Sequence, residues 1–212
     1  MKLVVVSAGL SVPSSTRLLG DRLAAAVVGR APAAAPAEVE VVELRDLAVE
    51  IAHNLTTGFP GPSLGAALDA VASADGLIVV TPVFSASYSG LFKSFFDVLD
   101  RDALAGKPVL IAATGGSARH SLVLEHALRP LFAYLRAVVV PTGVYAASED
   151  WGAEGLAERV ERAAGELVAA VAPAGGSATE RVEPVRLEPV RVGGFDVVPF
   201  AEQLAALRPT QA

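Results

Sequence analysis

Cysteine is absent from this chain. That excludes a disulfide scaffold, a thiolate zinc site, an iron–sulfur cluster and a cysteine nucleophile. Charge is sparse, at 19% Asp, Glu, Lys and Arg with a net charge of −6, and no Lys or Arg cluster stands out. A nucleic-acid partner is therefore not expected. No apolar run approaches the roughly 20 residues needed to cross a bilayer. Only Leu3–Val6 are apolar ahead of Ser7, too few for a signal-peptide core. A cytoplasmic protein free of membrane is the expectation. Aromatics supply only 6% of the chain, yet 52% of it is hydrophobic, so small and aliphatic residues carry the core. That content excludes a wholly disordered chain. With 212 residues, one domain plus an appendage is expected.

Short bursts rich in β-branched residues mark strands at Leu3–Val6, Glu38–Leu44, Gly76–Val80, Pro108–Ala113 and Ala137–Val140. Four are nearly continuous apolar runs, as in strands covered on both faces. Glu38–Leu44 alternates and reads as an edge strand with one wet face. Helical patterns lie between them at Ser14–Arg30, Ser63–Ser73, Ser89–Leu99, Ser117–Leu135 and Glu154–Val171. Such alternation predicts an α/β doubly wound parallel sheet of five strands in the flavodoxin-like order 2-1-3-4-5. Past Val171 the texture changes. Residues 173–212 carry five prolines and two Gly-Gly pairs, which read as a linker after a 1–172 domain. The apolar stretch Gly194–Leu207, with Phe195 and Phe200, is expected to dock on its own domain or on a second subunit.

In an open parallel sheet, ligands bind beyond the carboxyl ends of the strands where strand order reverses. The loop after the first strand runs from Ser7 through Gly9 to Arg17. It holds five hydroxyl residues, Ser7, Ser11, Ser14, Ser15 and Thr16, and then opens a helix. Hydroxyls gathered at a helix N-terminus suit a phosphate, whereas a simple cap needs only one serine. Neither the Gly-x-Gly-x-x-Gly dinucleotide pattern nor a Walker loop is present, which favours a lone monophosphate. After the third strand come Thr81, Pro82, Val83, Phe84, Ser85, Ala86, Ser87 and Tyr88, small residues and aromatics that suit a flat ring. After the fourth come Thr114, Gly115, Gly116 and Ser117, where glycines let backbone approach a ligand closely. A phosphate at one side and a planar heterocycle at the other describe flavin mononucleotide (FMN). Either of the last two loops taken singly reads as an ordinary strand-to-helix turn.

Thr81-Pro82-Val83-Phe84, then Tyr88-Ser89-Gly90-Leu91-Phe92-Lys93 with Asp97 beyond, resembles the NAD(P)H-dependent FMN reductases of flavodoxin-like fold. Ala113-Thr114-Gly115-Gly116-Ser117 with Leu128-Arg129-Pro130 resembles the branch serving two-component alkanesulfonate monooxygenases. The resemblance covers residues 1 to about 172. It implies a phosphate loop at Ser11, Ser14, Ser15 and Thr16, although the family's usual Gly-Ser-x-Arg start is here Ala8-Gly9-Leu10-Ser11. It also implies that Pro82–Ser87 surrounds the ribityl chain and ring, and that Thr114–Ser117 lies under the pyrimidine edge. His126 stands where sulfonate-type relatives often carry a tyrosine in a subunit contact. The implied chemistry is hydride transfer from NADPH or NADH to flavin N5, needing no catalytic acid or base and no metal. A flavin-dependent monooxygenase and a homodimer or homotetramer are the implied partners. Arg17 and Arg119 are candidates for the NADPH 2′-phosphate.

Two other functions share this fold and cofactor: a flavodoxin-type electron carrier, and an FMN-dependent quinone or azo reductase. Carriers usually flank the ring with Trp and Tyr, and Trp151 is expected to lie far from the three loops. Gly61-Pro62-Ser63-Leu64-Gly65 matches a hydrolase elbow, but no strand leads into it. Ser63 is expected as a helix cap. Asn54-Leu55-Thr56 fits a glycosylation pattern only incidentally. His120 and His126 are expected on one helix but six residues apart, hence on different faces.

Overall fold

The structure, a computed structural model, describes residues 1–172. The expected linker and the Gly194–Leu207 patch lie outside the described residues. In chain order the elements are β1 (Lys2–Ser7), α1 (Ser15–Arg30), β2 (Glu38–Glu43), α2 (Leu44–Thr57), α3 (Pro62–Ser73), β3 (Gly76–Phe84), β4 (Ser87–Tyr88), α4 (Gly90–Asp97), β5 (Pro108–Gly115), α5 (Arg129–Tyr134), β6 (Val138–Val139), β7 (Val144–Ala147) and α6 (Glu154–Val171). The sheet runs β2-β1-β3-β5-β6, with β7 also on β5 and β4 closing a hairpin on β3. Every pair except that hairpin is parallel. This is the expected flavodoxin-like order. None of the described helices is long and apolar enough to cross a membrane.

Two cores follow from the two-residue period of the strands. Val4 and Val6 of β1, Leu77 and Val79 of β3, and Val109 and Ile111 of β5 face a layer that includes Leu47, Ile51, Leu64, Phe92, Phe95 and Phe132. Leu3 and Val5, Ile78 and Val80, and Leu110 and Ala112 face the opposite layer, with Leu19, Leu23, Val160 and Leu167. Gly20 lets α1 sit close to the sheet, since a Cβ there would lie 3.0 Å from Val5. β2 is an edge strand as expected, with Glu38, Val39 and Glu40 exposed and Val42 buried.

Three elements depart from the expected layout. α2 has no counterpart in the sequence reading, although Leu44, Leu47, Ile51 and Asn54 are buried at helical spacing. Its start at Leu44 abuts β2 with no turn residue between, which hides the boundary. Ser117–Leu135, expected as one helix, is a 3-10 turn at Ala118–His120, a π turn at Leu124–Leu128 and then α5. Pro130 has no N–H to continue an α ladder, and the Arg129 N–H reaches back to the Leu124 carbonyl. His120 and His126 consequently occupy separate turns.

The fifth strand, expected at Ala137–Val140, is split. β6 pairs with the start of β5 through Val109↔Val139, and β7 pairs with its end from Ala112↔Val144 to Gly115↔Ala147. Pro141 lacks a ladder N–H, and the Glu166 carboxylate takes both the Thr142 N–H and the Thr142 hydroxyl at 2.7 Å. Arg129 donates to the carbonyls of Val140 at 3.2 Å and Pro141 at 3.0 Å. The break is a turn braced by Arg129 and Glu166 that lifts β7 toward the rim of the sheet. Buried Asn54 sits on α2, and Ser63 lies inside α3, where Glu50 caps the Leu64 N–H at 2.7 Å. Asn54 is too buried for glycosylation, and the elbow pattern has no strand leading into it and sits in the first turn of α3, with Gly61 and not Ser63 at the cap position.

Replacing Glu166 by Ala leaves the two Thr142 donors unpaired. It is expected to cost about 1–3 kcal/mol, read as a lower urea midpoint at unchanged m-value. A midpoint equal to wild type would show that the strand break does not depend on this carboxylate.

Candidate active site

The turn from β1 into α1 is built by close approach. A Cβ on Gly9 would fall 2.0 Å from the Ser14 hydroxyl and 3.2 Å from the Thr16 Cβ. Ser14 is the N-cap of α1, its hydroxyl accepting from the Arg17 N–H at 3.2 Å. A capping role is therefore real for Ser14, and the other hydroxyls remain to be explained. Ser15 and Thr16 are the first two helical residues, and among the described residues their N–H groups have no hydrogen-bond partner. Thr16 is buried and shares a 2.8 Å hydrogen bond with Thr114 at the end of β5. Ser7 is fully buried beneath the turn, its hydroxyl 3.5 Å from the Gly9 N–H.

β3 continues beyond the core as a hairpin in which Phe84 pairs with Ser87. Its two turn residues, Ser85 (φ 50°) and Ala86 (φ 65°), are left-handed, a conformation that two-residue hairpins favour and usually fill with Asn and Gly. Thr81 braces its base: the buried hydroxyl accepts from the Ser89 N–H at 3.0 Å and donates to the Pro82 carbonyl. Ser89 then caps α4 by accepting from the Phe92 N–H at 3.1 Å. At β5, a Cβ on Gly115 would meet the Tyr145 hydroxyl at 2.1 Å, while one on Gly116 would meet nothing within 4 Å. Tyr145 donates to the Ser117 carbonyl at 2.7 Å and so pins the glycine turn. Burial, then the carboxylates of Glu149 and Asp150, push the Tyr145 hydroxyl above its ordinary value. It stays a donor at neutral pH.

These turns enclose a groove of ≈ 500 Å³, within the roughly 300–1,000 Å³ of small-molecule sites. Of the sequence-predicted residues, Ser11, Ser14, Ser15 and Thr16, Pro82, Val83 and Phe84, and Thr114, Gly115 and Gly116 line it. Ser7, Gly9 and Ser117 do not line it but shape the turns beneath. Ser85 and Ser87 lie at the hairpin tip, outside the lining. Arg17 is turned away: it pairs with Asp21 at 2.8 Å and with Glu43, and lines a separate cleft with Arg45. The Asp21 hydrogen bond, then the charges of Asp21 and Glu43, hold its guanidinium above the usual value. Arg119 is exposed and, among the described residues, makes no ion pair.

Leu10, Ala146, Ser148 and Trp151 also line the groove, and none of them was expected there. Trp151 is the clearest correction. Far along the chain from the three loops, it is brought to them because β7 ends beside β5 and turns back through Ser148–Gly152. The missed signal was the second half of the split strand, Val144–Ala147. Another groove of ≈ 500 Å³ lies along α1 and α6, lined by Ala25, Ala26, Gly29 and Leu156 among others. Volume does not distinguish the two; the clustered hydroxyls of Ser11, Ser14, Ser15 and Thr16 line only the first.

The family model described as NADPH-dependent FMN reductase matches residues 1–152. The chain belongs to that family. Among its members, this chain is similar to the FMN reductase (NADPH) of Pseudomonas aeruginosa, 43% identical over 150 residues that cover 71% of this chain and 78% of that protein. It is also similar to the NADH-dependent FMN reductase SfnF of Pseudomonas fluorescens, 44% identical over 151 residues that cover 71% and 79%. An oxidoreductase from Corynebacterium diphtheriae superposes with a TM-score of 0.78 at 51% identity, over 80% of this chain and 96% of that one. Family membership makes the chain an NAD(P)H-dependent oxidoreductase that works with FMN.

Two glycines separate loop geometry from groove space. Gly9→Ala must displace the Ser14 cap and is expected to cost about 1–2 kcal/mol. Gly116→Ala has room and should leave the unfolding midpoint unchanged. Equal midpoints for the two variants in urea would contradict the close approach at Gly9.

Proposed function

We propose that FMN occupies this groove, with its phosphate at the N-terminus of α1 and its ring system between Pro82–Phe84 and Thr114–Gly116. The observation that carries this reading is the meeting of unpaired Ser15 and Thr16 N–H groups, the four hydroxyl side chains Ser11, Ser14, Ser15 and Thr16 of the α1 turn, and an apolar, glycine-lined slot in one cavity. An anion at a helix N-terminus gains from both the open donors and the helix dipole. Ser11, Ser14 and Ser15 add hydroxyl donors, and Leu10, Val83 and Phe84 supply apolar surface for the ring. When bound, the flavin supplies the hydride-accepting centre. The protein's share is to hold the ring edge against backbone, to exclude water with Leu10 and Phe84, and to leave one face open to the reduced nicotinamide.

Reduced flavin then passes to a partner monooxygenase, the reading that the alkanesulfonate-type motifs support; assembly as a homodimer or homotetramer belongs to the same reading. An FMN-dependent quinone or azo reductase would share the groove and differ only in acceptor. Trp151 beside the groove supplies an aromatic of the kind carriers use, so turnover must separate carrier from reductase.

Purified protein is expected to oxidise NADPH or NADH at a rate that saturates with FMN. Tight FMN binding without nucleotide oxidation would leave only the carrier. Arg119→Ala should raise the KM for NADPH several-fold more than that for NADH, because a guanidinium recognises a 2′-phosphate and not a hydroxyl. Arg17→Ala should leave that ratio unchanged, since Arg17 is already paired with two carboxylates. A ratio that follows Arg17 would reverse the assignment.

A further inference from the structure

The phosphate end of the groove is short of positive charge. Arg17 and Arg45, the cations nearest the turn, face Asp21, Glu43 and Asp46, with Arg45 pairing to Glu43 at 3.0 Å and to Asp46 at 3.4 Å. Three carboxylates on two guanidiniums leave nothing for a phosphate dianion. Arg22 is different. Its guanidinium lies 5.1 Å from the centre of the Trp151 ring, and among the described residues it pairs with no carboxylate. Trp151 lines the flavin groove and Arg22 lines the neighbouring groove along α1 and α6, so the Arg22–Trp151 pair stands between them.

Arg22 stands seven residues after Ser15, two turns up α1 and on nearly the same face, about 10 Å along the axis. Helical side chains lean toward the N-terminus, which carries the guanidinium back toward the phosphate turn. The indole lies by the Arg22 guanidinium and lines the same groove as Ser15. A cation over a Trp face is attracted to the ring; in the segment Ser148–Gly152, where Glu149 and Asp150 bond to Ala118, Ala147 and Arg159, this contact bears on the indole face itself.

We propose that Trp151 is the wall of the FMN groove beside the phosphate turn, and that Arg22 positions this wall and supplies the positive charge that the phosphate end otherwise lacks. The proposal rests on FMN occupying the groove. It adds a binding residue and a positioning residue outside all three loop motifs.

The chain has 1 Trp, so its emission reports on this wall alone. Full-length protein is titrated with FMN while bound flavin is measured independently by equilibrium dialysis. Quenching of the indole with the midpoint found by dialysis is the expected result. Binding by dialysis with unchanged indole emission overturns the proposal and leaves the groove assignment standing. No binding by dialysis removes both. Arg22→Gln should weaken FMN about tenfold with a smaller loss for riboflavin, which lacks the phosphate; Arg22→Lys should restore most of the FMN affinity. Equal losses for the two flavins, or no loss for either, would overturn the role of Arg22. Trp151→Phe, which keeps an aromatic face, should bind FMN within a few-fold of wild type, and Trp151→Ala should weaken it about tenfold or more; equal affinities for these two variants count against the wall.

Discussion

A single buried hydrogen bond, 2.8 Å between the hydroxyls of Thr16 and Thr114, couples the two sides of the site. One partner opens α1 and the other ends β5, and β3 lies between their strands in the sheet. A buried hydroxyl without a partner costs on the order of 1–3 kcal/mol, so each threonine fixes where the other can be. The turn into α1 therefore cannot drift from the glycine turn without exposing both. Gly9 packed against Ser14, and Gly115 packed against the Tyr145 hydroxyl, tighten each turn from behind. The groove is the space left by these contacts.

The site is built with few full charges on its walls. The turn at α1 offers backbone donors, hydroxyls and a helix dipole, while Arg17 spends its charge on Asp21 and Glu43. Dipoles held by the fold need no reorganisation when an anion arrives, which suits a protein whose task is orientation. The chemistry of the reaction belongs to the flavin. The same frugality makes the Arg22–Trp151 pair informative, because it brings an uncommitted cation to the wall beside the phosphate turn.

Much of this was legible in the residues. The strand bursts gave the sheet order because continuous apolar runs occur where both faces are covered. The hydroxyl-rich turn, Pro82–Phe84 and Thr114–Gly116 were legible as a site because three rim loops converge in a doubly wound sheet. What was hidden depended on interruptions rather than on patterns. α2 begins with no turn after β2. The one expected helix is a 3-10 turn, a π turn and the short α5, with Pro130 in the first turn of α5. Pro141, with Glu166 on Thr142, divides the last strand and sends Val144–Ala147 to the rim. Trp151 reaches the groove only because of that division, so no local signal could have placed it there. Arg17 shows the opposite limit: it sits in the hydroxyl-rich turn, but its partners lie on α1 and β2 and turn it away from the groove.

The central claim is that the turns after β1, β3 and β5 bind FMN together. Amide chemical shifts of isotope-labelled protein, followed as FMN is added, test it most directly. The account predicts the largest changes together at Ser15, Thr16, Phe84, Gly115 and Gly116, saturating with one common affinity. Changes confined to the α1–α6 groove, or to one of the three turns with the other two silent, would contradict it.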